Sequence, residues 1–287
     1  MAAPGLPDLT RMAKKLQQVE ADPAVQETSS PCEPVGSGRV SVDGKNFSLK
    51  RVVVADEAPI CRCGLKHFFG DQPDLSCVAE AGSAEALLRM LEADKPDFLV
   101  MGLRFSYVSG LDLIKIVRGM FPALPILVLS ELDETVYAER VLRAGANGFI
   151  RKNEPLSELL NAVHCILDGE LYLSRKMSAL ILRHSFREKA GSDPGLKALS
   201  DRELYVFRLL GAGLSSRKIA LQLGVSLKTI ESHRENIKRK LGLHDGAELL
   251  RHAVHFVDPP LRALAQSLTA CASKPPATSP PRRRGSP

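Results

Sequence analysis

Lys228, Glu231, Ser232, Glu235 and Arg239 stand at spacings that place them on one side of a helix, at about 100° per residue. Ile230, Ile237 and Leu241 fall in a narrow sector opposite. Such a helix anchors its apolar stripe in a small core and presents hydrogen-bonding groups outward. The outward set suits the edges of base pairs in a major groove, and Lys238 and Lys240 lie to either side, where groove walls bring phosphates close. Lys228, Glu231, Ser232 and Glu235 occupy the N-terminal half and are assigned to base reading. A carboxylate can accept from cytosine's amino group, and a serine can pair with several bases. Taken alone, the same pattern also describes a surface helix with a solvated polar face.

A second set of polar residues closes short apolar runs. Asp56 and Glu57 follow Val52-Val53-Val54, Gly102 follows a third run, Ser130 ends Ile126-Leu127-Val128-Leu129, and Lys152 follows Gly148–Arg151. Two carboxylates, one hydroxyl and one lysine thus converge on one edge of a sheet.

The elements that must position these residues follow from periodicity. Strand-like runs at Arg51–Ala55, Ser76–Ala81, Asp97–Gly102, Pro125–Ser130 and Gly148–Arg151 alternate with helical patterns at Pro59–Phe69, Ala84–Glu92, Gly110–Met120, Thr135–Ala144 and Leu156–Leu167. Continuous apolar runs are what strands buried on both faces require. The expected fold is α/β doubly wound, flavodoxin-like, with five parallel strands in the order 2-1-3-4-5 and function at their carboxyl ends. A helix from Ser174 to about Arg187 and a Gly/Ser/Pro linker lead to an all-α block. There, helices are expected at Asp201–Gly211, Ser216–Leu223, Leu227–Leu241 and Asp245–Phe256, with Ser200 and Ser226 as N-caps and Gly242 ending the third. A short turn containing Gly224 between the second and third makes a helix-turn-helix. The expected domains are a mostly disordered arm at 1–49 with a short helix around Leu9–Glu20, an α/β domain at 50–172, a helix and linker at 173–198, a four-helix domain at 199–257, and a disordered basic, Pro-rich tail at 258–287.

Charge is distributed unevenly. Residues 50–175 hold 14 basic and 18 acidic side chains, whereas residues 197–257 hold 11 basic and 6 acidic. A basic excess confined to the last third is the footprint of a polyanion-binding module. No apolar run approaches the roughly 20 residues that span a bilayer, so no membrane partner is expected. The scattered cysteines lack metal-ligand spacing and are read as thiols of a reducing compartment. No nucleophile–base pair, metal cage or Gly-rich phosphate loop is found, so the chain is not read as an enzyme.

Leu199-Ser200-Asp201-Arg202-Glu203, Gly213–Ala220, Val225–Ile237 and Lys240-Leu241-Gly242 together resemble the LuxR-type helix-turn-helix over the whole block. The resemblance implies double-stranded DNA as partner, commonly bound by a homodimer on paired half-sites, and hence a cytoplasmic location. It implies a structural role for Glu203, and phosphate-facing roles for Thr229, His233 and Lys240. For His233 a hydrogen-bonded interface histidine is an equal alternative.

The front block resembles the receiver domain of two-component response regulators, and the order of the two blocks matches the NarL-type subgroup. In receivers an acidic pair holds Mg²⁺, an aspartate ending the third strand accepts a phosphoryl group, and a Ser/Thr and a lysine hold its oxygens. Asp56, Glu57, Ser130 and Lys152 match, and Phe149 matches the aromatic position that repacks on activation. The acceptor does not: the chain reads Met101-Gly102-Leu103-Arg104, and the next carboxylate, Asp112, lies in the following helix. With one carboxylate and the phosphate missing, no cofactor is expected and Mg²⁺ binding should be weak or absent. Lys152 is then available to pair with Asp56 or Glu57, favouring one conformation. The expectation is a DNA-binding regulator with a pseudo-receiver not phosphorylated on aspartate. The alternative is an interaction protein that sequesters a kinase or another regulator through its receiver-like face. The family resemblance also implies dimerisation through the fourth and fifth βα units, with Val136, Val141, Leu142 and Leu159 on that surface.

Overall fold

The computed structural model describes residues 39–42, 45–186 and 195–257, and the chain divides into two units between Lys197 and Ala198. In the first unit, strands β3 (Lys50–Ala55), β4 (Leu75–Ala81), β5 (Phe98–Met101), β6 (Ile126–Ser130) and β7 (Gly148–Arg151) alternate with helices α1 (Pro59–Gly70), α2 (Ala84–Asp94), α3 (Gly110–Met120), α4 (Glu134–Ala144) and α5 (Leu156–Leu167). All pairings among these strands are parallel, in the order β4-β3-β5-β6-β7. This is the doubly wound order expected. Each crossover helix must cover one sheet face, which is why β5 and β6 are buried at every position and apolar up to the serine that ends β6. On one face Val52, Val54, Val100 and Leu127 pack with Leu65 and Phe69 of α1 and with Leu159, Val163 and Ile166 of α5. On the opposite face Val53, Leu99 and Val128 are fully buried.

Local chemistry sets the helix starts. The Ser83 hydroxyl accepts from the Ala86 N–H at 3.2 Å, and the Asp133 carboxylate accepts from the Thr135 N–H at 2.8 Å. Gly145, at φ 110°, ends α4 in a left-handed conformation that suits glycine. Helix α6 (Arg175–Phe186) packs against α4 and buries Met177.

Two expectations need correction here. The sequence places residues 39–48 in a mostly disordered arm, yet β1 (Arg39–Val42) and β2 (Lys45–Ser48) pair antiparallel, Arg39 opposite Ser48 and Val42 opposite Lys45. The sequence signal was there: Asp43-Gly44 between short runs of alternating character is a hairpin pattern. The expected helix at Leu9–Glu20 and the basic tail lie outside the described residues. Second, Val141 and Leu159 do not face outward. The buried stripe of α4 is Tyr137, Ala138, Val141 and Ala144, and that of α5 is Leu159, Ala162, Val163 and Ile166. Both residues sit at core positions of the 3.6 repeat; Val136 and Leu142 are half-buried.

The second unit begins after a 3₁₀ turn (Gly195–Ala198) and consists of α7 (Asp201–Gly211), α8 (Ser216–Leu223), α9 (Leu227–Leu241) and α10 (Gly246–Val257). A capping box starts α7: Ser200 Oγ accepts from the Glu203 N–H at 3.3 Å, and the Ser200 N–H donates to Glu203 Oε2 at 2.7 Å. Gly224, at φ 62°, ends α8 and makes the tight turn into α9. The core is formed by Leu204, Val206, Phe207, Ile219, Ile230, Ile237, Leu249 and Ala253. A Cβ at Gly211 would overlap the Ala253 carbonyl, so α7 and α10 approach backbone to backbone. The last helix begins one residue later than expected because Asp245 serves as its cap, with Oδ1 accepting from the Glu248 N–H at 2.7 Å.

Candidate nucleic-acid interface and receiver pocket

Helix α9 is held from behind and from both flanks. Ile230 and Ile237 are fully buried, and Leu241, the third residue of the apolar sector, is half-buried. Ser226 caps the helix, its Oγ accepting from the Thr229 N–H at 3.1 Å and lying 2.8 Å from Thr229 Oγ1. The Arg234 guanidinium donates to Ser216 Oγ at 2.7 Å, pinning α9 to the first residue of α8. Sequence reasoning missed Arg234, which lies between the polar and apolar sides and is identified only by the helix it reaches.

With the helix so fixed, Lys228, Thr229, Glu231, Ser232, Glu235 and Arg239 are exposed, as their side of the wheel requires. Ser232 Oγ donates back to the Lys228 carbonyl at 3.0 Å. Glu231 lies 3.6 Å from Arg234 and Glu235 lies 2.9 Å from Lys238, both as i,i+3 pairs. The Arg239 guanidinium donates to Asn236 Oδ1 at 2.9 Å. Lys238 and His233 are half-buried at the margins. Burial, reinforced by the Arg202 charge, lowers the His233 pKa against a smaller opposing pull from Glu203.

Lys240 departs from the phosphate-facing position expected of it. Its Nζ donates to the buried Glu203 Oε2 at 2.6 Å, while the lysine side chain itself stays half-buried. Glu203 is buried and also receives the Ser200 N–H. Burial pushes the Glu203 carboxyl up, but the Lys240 hydrogen bond and charge and the Ser200 donors prevail, and its pKa falls below the usual range. One carboxylate therefore closes the cap of α7 and ties it to the last turn of α9.

At the carboxyl edge of the sheet, Asp56, Glu57, Ser130 and Lys152 come together as the strand order requires. Asp56 is 6% exposed; its Oδ1 accepts from the Ala58 N–H at 2.9 Å and its Oδ2 from Lys152 Nζ at 2.6 Å. Lys152 also lies 3.6 Å from Glu131 Oε2 and 3.5 Å from Cys61 Sγ. Burial lowers the Lys152 pKa, but the Asp56 hydrogen bond and the Asp56 and Glu131 charges outweigh it and the net shift is upward. Glu131, in turn, takes a 2.6 Å hydrogen bond from Arg104. Glu57 Oε1 accepts from the Ser106 N–H, and Ser130 Oγ accepts from the Leu132 N–H at 3.2 Å. Phe149 is 1% exposed and packed inward.

Gly102 sits at the centre of this edge. Its N–H donates to the Ala55 carbonyl at 2.8 Å, and a Cβ placed on it would stand 2.6 Å from Asp56 Oδ2. The Asp56 carboxylate thus occupies the space a side chain at 102 would need. The magnesium that receivers hold would take its oxygens from the acidic pair and the third-strand carboxylate. Here Asp56 is bound to Lys152 and the Ala58 N–H, Glu57 to the Ser106 N–H, and Gly102 offers no ligand. The residues in this arrangement do not fit the ion.

Comparison with known proteins agrees with both units. The response regulator receiver domain family matches residues 52–164, and the family of bacterial regulatory proteins of the luxR type matches residues 197–253. The chain is 35% identical over 210 residues to the oxygen regulatory protein NreC of Staphylococcus aureus, covering 71% of this chain and 96% of that protein. It is similar in structure to RcsB from Salmonella enterica serovar Typhimurium bound to promoter rprA in the presence of phosphomimetic BeF3−, with TM-score 0.58, 26% identity, and coverage of 72% of this chain and 98% of that one. A second structure of Salmonella typhimurium RcsB, described for its conformational dynamism for DNA interaction, matches with TM-score 0.60, 26% identity, and coverage of 72% and 98%. The chain belongs to the response regulators that join a receiver domain to a LuxR-type helix-turn-helix domain.

Proposed function

We propose that the protein is a sequence-specific DNA-binding transcriptional regulator whose receiver domain does not switch by phosphorylation on aspartate. The observation that carries the second half is the filled pocket: Gly102 has no side chain to phosphorylate, and the Asp56–Lys152 pair at 2.6 Å stands where an acceptor and its metal would go. Without an acyl phosphate there is nothing for Ser130 to pull on, and the pocket rests in one arrangement.

The first half rests on α9. Its anchored back and its exposed row of Lys228, Thr229, Glu231, Ser232, Glu235 and Arg239 suit a major groove, with Lys238 and His233 at the margins toward phosphate. The promoter-bound RcsB structure supports the same use of this domain. A homodimer on two half-sites is the assembly that fits, because paired recognition helices double the contact with a palindrome. A protein partner at the receiver-like edge would supply the input that phosphorylation does not.

Mapping where the full chain sits on its genome tests the DNA-binding half. Discrete sites sharing a common operator are expected; an even spread, or no enrichment, contradicts it. Incubation with a small phosphodonor and Mg²⁺ followed by intact-mass measurement tests the other half. No stable phosphoryl adduct is expected at the sheet edge.

A further inference from the structure

Helix α9 carries an unusual charge pattern for a surface offered to a polyanion. Its exposed reading side holds two carboxylates, Glu231 with a side chain 49% exposed and Glu235 with one 68% exposed. They are one turn apart, so both face the same way. Lys240, at the end of the helix, does not offset them there, because its ammonium is paired with Glu203 of α7. Arg234 reaches Ser216 on the neighbouring helix, and Arg239 reaches Asn236. Off DNA, each carboxylate lies beside its own i+3 cation, Arg234 or Lys238.

A carboxylate brought into a major groove is repelled by the phosphates on both sides. It is tolerated only where a base offers it a hydrogen. Guanine presents N7 and O6, both acceptors, and thymine presents O4, also an acceptor, so both are excluded. Adenine presents an amino group, but its N7 acceptor lies beside it and opposes the second carboxylate oxygen. Cytosine presents its N4 amino group with a C5–H rather than an acceptor beside it on its own ring, the one neighbouring acceptor being O6 of the paired guanine.

We infer that Glu231 and Glu235 are specificity-determining residues, each accepting a hydrogen bond from the N4 amino group of a cytosine in the operator. The inference rests on the DNA-binding reading and names what that surface selects. Four residues of helix rise about 6 Å, and successive bases on one strand are about 3.4 Å apart. The two cytosine-bearing base pairs therefore lie about two steps apart in each half-site. Lys228, one turn toward the N-terminus, is then placed to meet a guanine, which offers two acceptors to its ammonium.

The test is selection of bound duplexes from a random-sequence pool by the full chain, by Glu231→Gln and by Glu235→Gln. Both residues are exposed, so neither variant disturbs the core. The wild-type chain should enrich two C·G pairs at the stated spacing. Each glutamine variant should lose the cytosine preference at one of them and keep the other, with about a tenfold loss on the selected site. Affinity for an unrelated duplex should rise in both variants, since a charge of the wrong sign has gone. Replacing the selected cytosines by N4-methylcytosine puts a methyl group on the amino nitrogen, and should weaken the wild type about tenfold while changing the matching glutamine variant little. A selected site without these cytosines, or a preference that survives in both variants, overturns the inference and leaves DNA binding standing. No enrichment of any duplex in dilute salt overturns DNA binding itself, and the inference with it.

Discussion

Asp56 and Lys152, 96 residues apart in the chain, meet at 2.6 Å across the carboxyl edge of the sheet, with the shared Asp56 Oδ2 directly beside Gly102. Removing one partner of a well-buried ion pair leaves an uncompensated charge. Lys152→Met should lower stability by about 2 kcal/mol, at or below the range for fully buried pairs because the lysine side chain is 22% exposed. Asp56→Asn combined with Lys152→Met should recover part of that loss. Urea unfolding of the three chains checks both expectations.

The same pair makes stability sensitive to alkali. The Lys152 pKa is raised in the folded state, so the folded chain holds that proton more tightly than the unfolded chain does. The stabilisation is fully present below the unfolded lysine value of about 10.4 and is lost as pH climbs through the folded value. Wild type should therefore lose more stability than Lys152→Met between neutral pH and strong alkali.

Restoring an aspartate at position 102 should not be neutral. Its Cβ would stand 2.6 Å from Asp56 Oδ2, a contact that forces the Asp56 carboxylate off Lys152 and sets two carboxylates side by side. Gly102→Asp should lower stability by about 1–3 kcal/mol in the absence of divalent ions. With three carboxylates in place, millimolar Mg²⁺ should raise the melting temperature of that variant and leave that of the wild type unchanged. Thermal unfolding with and without the ion gives the answer.

Much of this was legible in the sequence because of periodicity. The continuous apolar runs at Val52-Val53-Val54 and Ile126–Leu129 marked strands buried on both faces, and the serines at 200 and 226 marked two helix starts. The converging polar residues followed from sheet order alone. Long-range partners were not legible. Nothing local to Lys240 says that it turns to Glu203, 37 residues away, and nothing near Arg234 points to Ser216. Val141 and Leu159 show the opposite failure: the surface implied by the family resemblance falls on residues whose 3.6 spacing already places them inward.

Glu203 joins α7, with its cap, to α9 through one carboxylate, and that makes the helical domain sensitive to acid. Its pKa is depressed in the folded state, so its contribution is present above the unfolded carboxylate value of about 4.3 and is lost as pH falls through the folded value. Glu203→Gln should cost about 1–2 kcal/mol at neutral pH, chiefly through the loss of the Lys240 and Ser200 contacts. It should also flatten the acid limb of the stability curve, as circular dichroism across pH would record.

His233 gives a shift at milder pH. Burial depresses its pKa, so below about 6.5 the unfolded chain takes up a proton that the folded chain resists. Stability of the helical domain should decline between pH 7 and pH 5, and His233→Gln should reduce that slope. Hydrogen exchange at the amides of α9 across this interval measures it.

The regulator proposed above grips DNA through α9 with no help from aspartyl phosphate. The most direct measurement is the affinity of the full chain for a selected duplex across a salt series, before and after exposure to a phosphodonor with Mg²⁺. Tight binding that weakens steeply and log-linearly with salt, identical in the two states, is expected. Absence of binding in dilute salt, or a clear tightening after the phosphodonor, would contradict it.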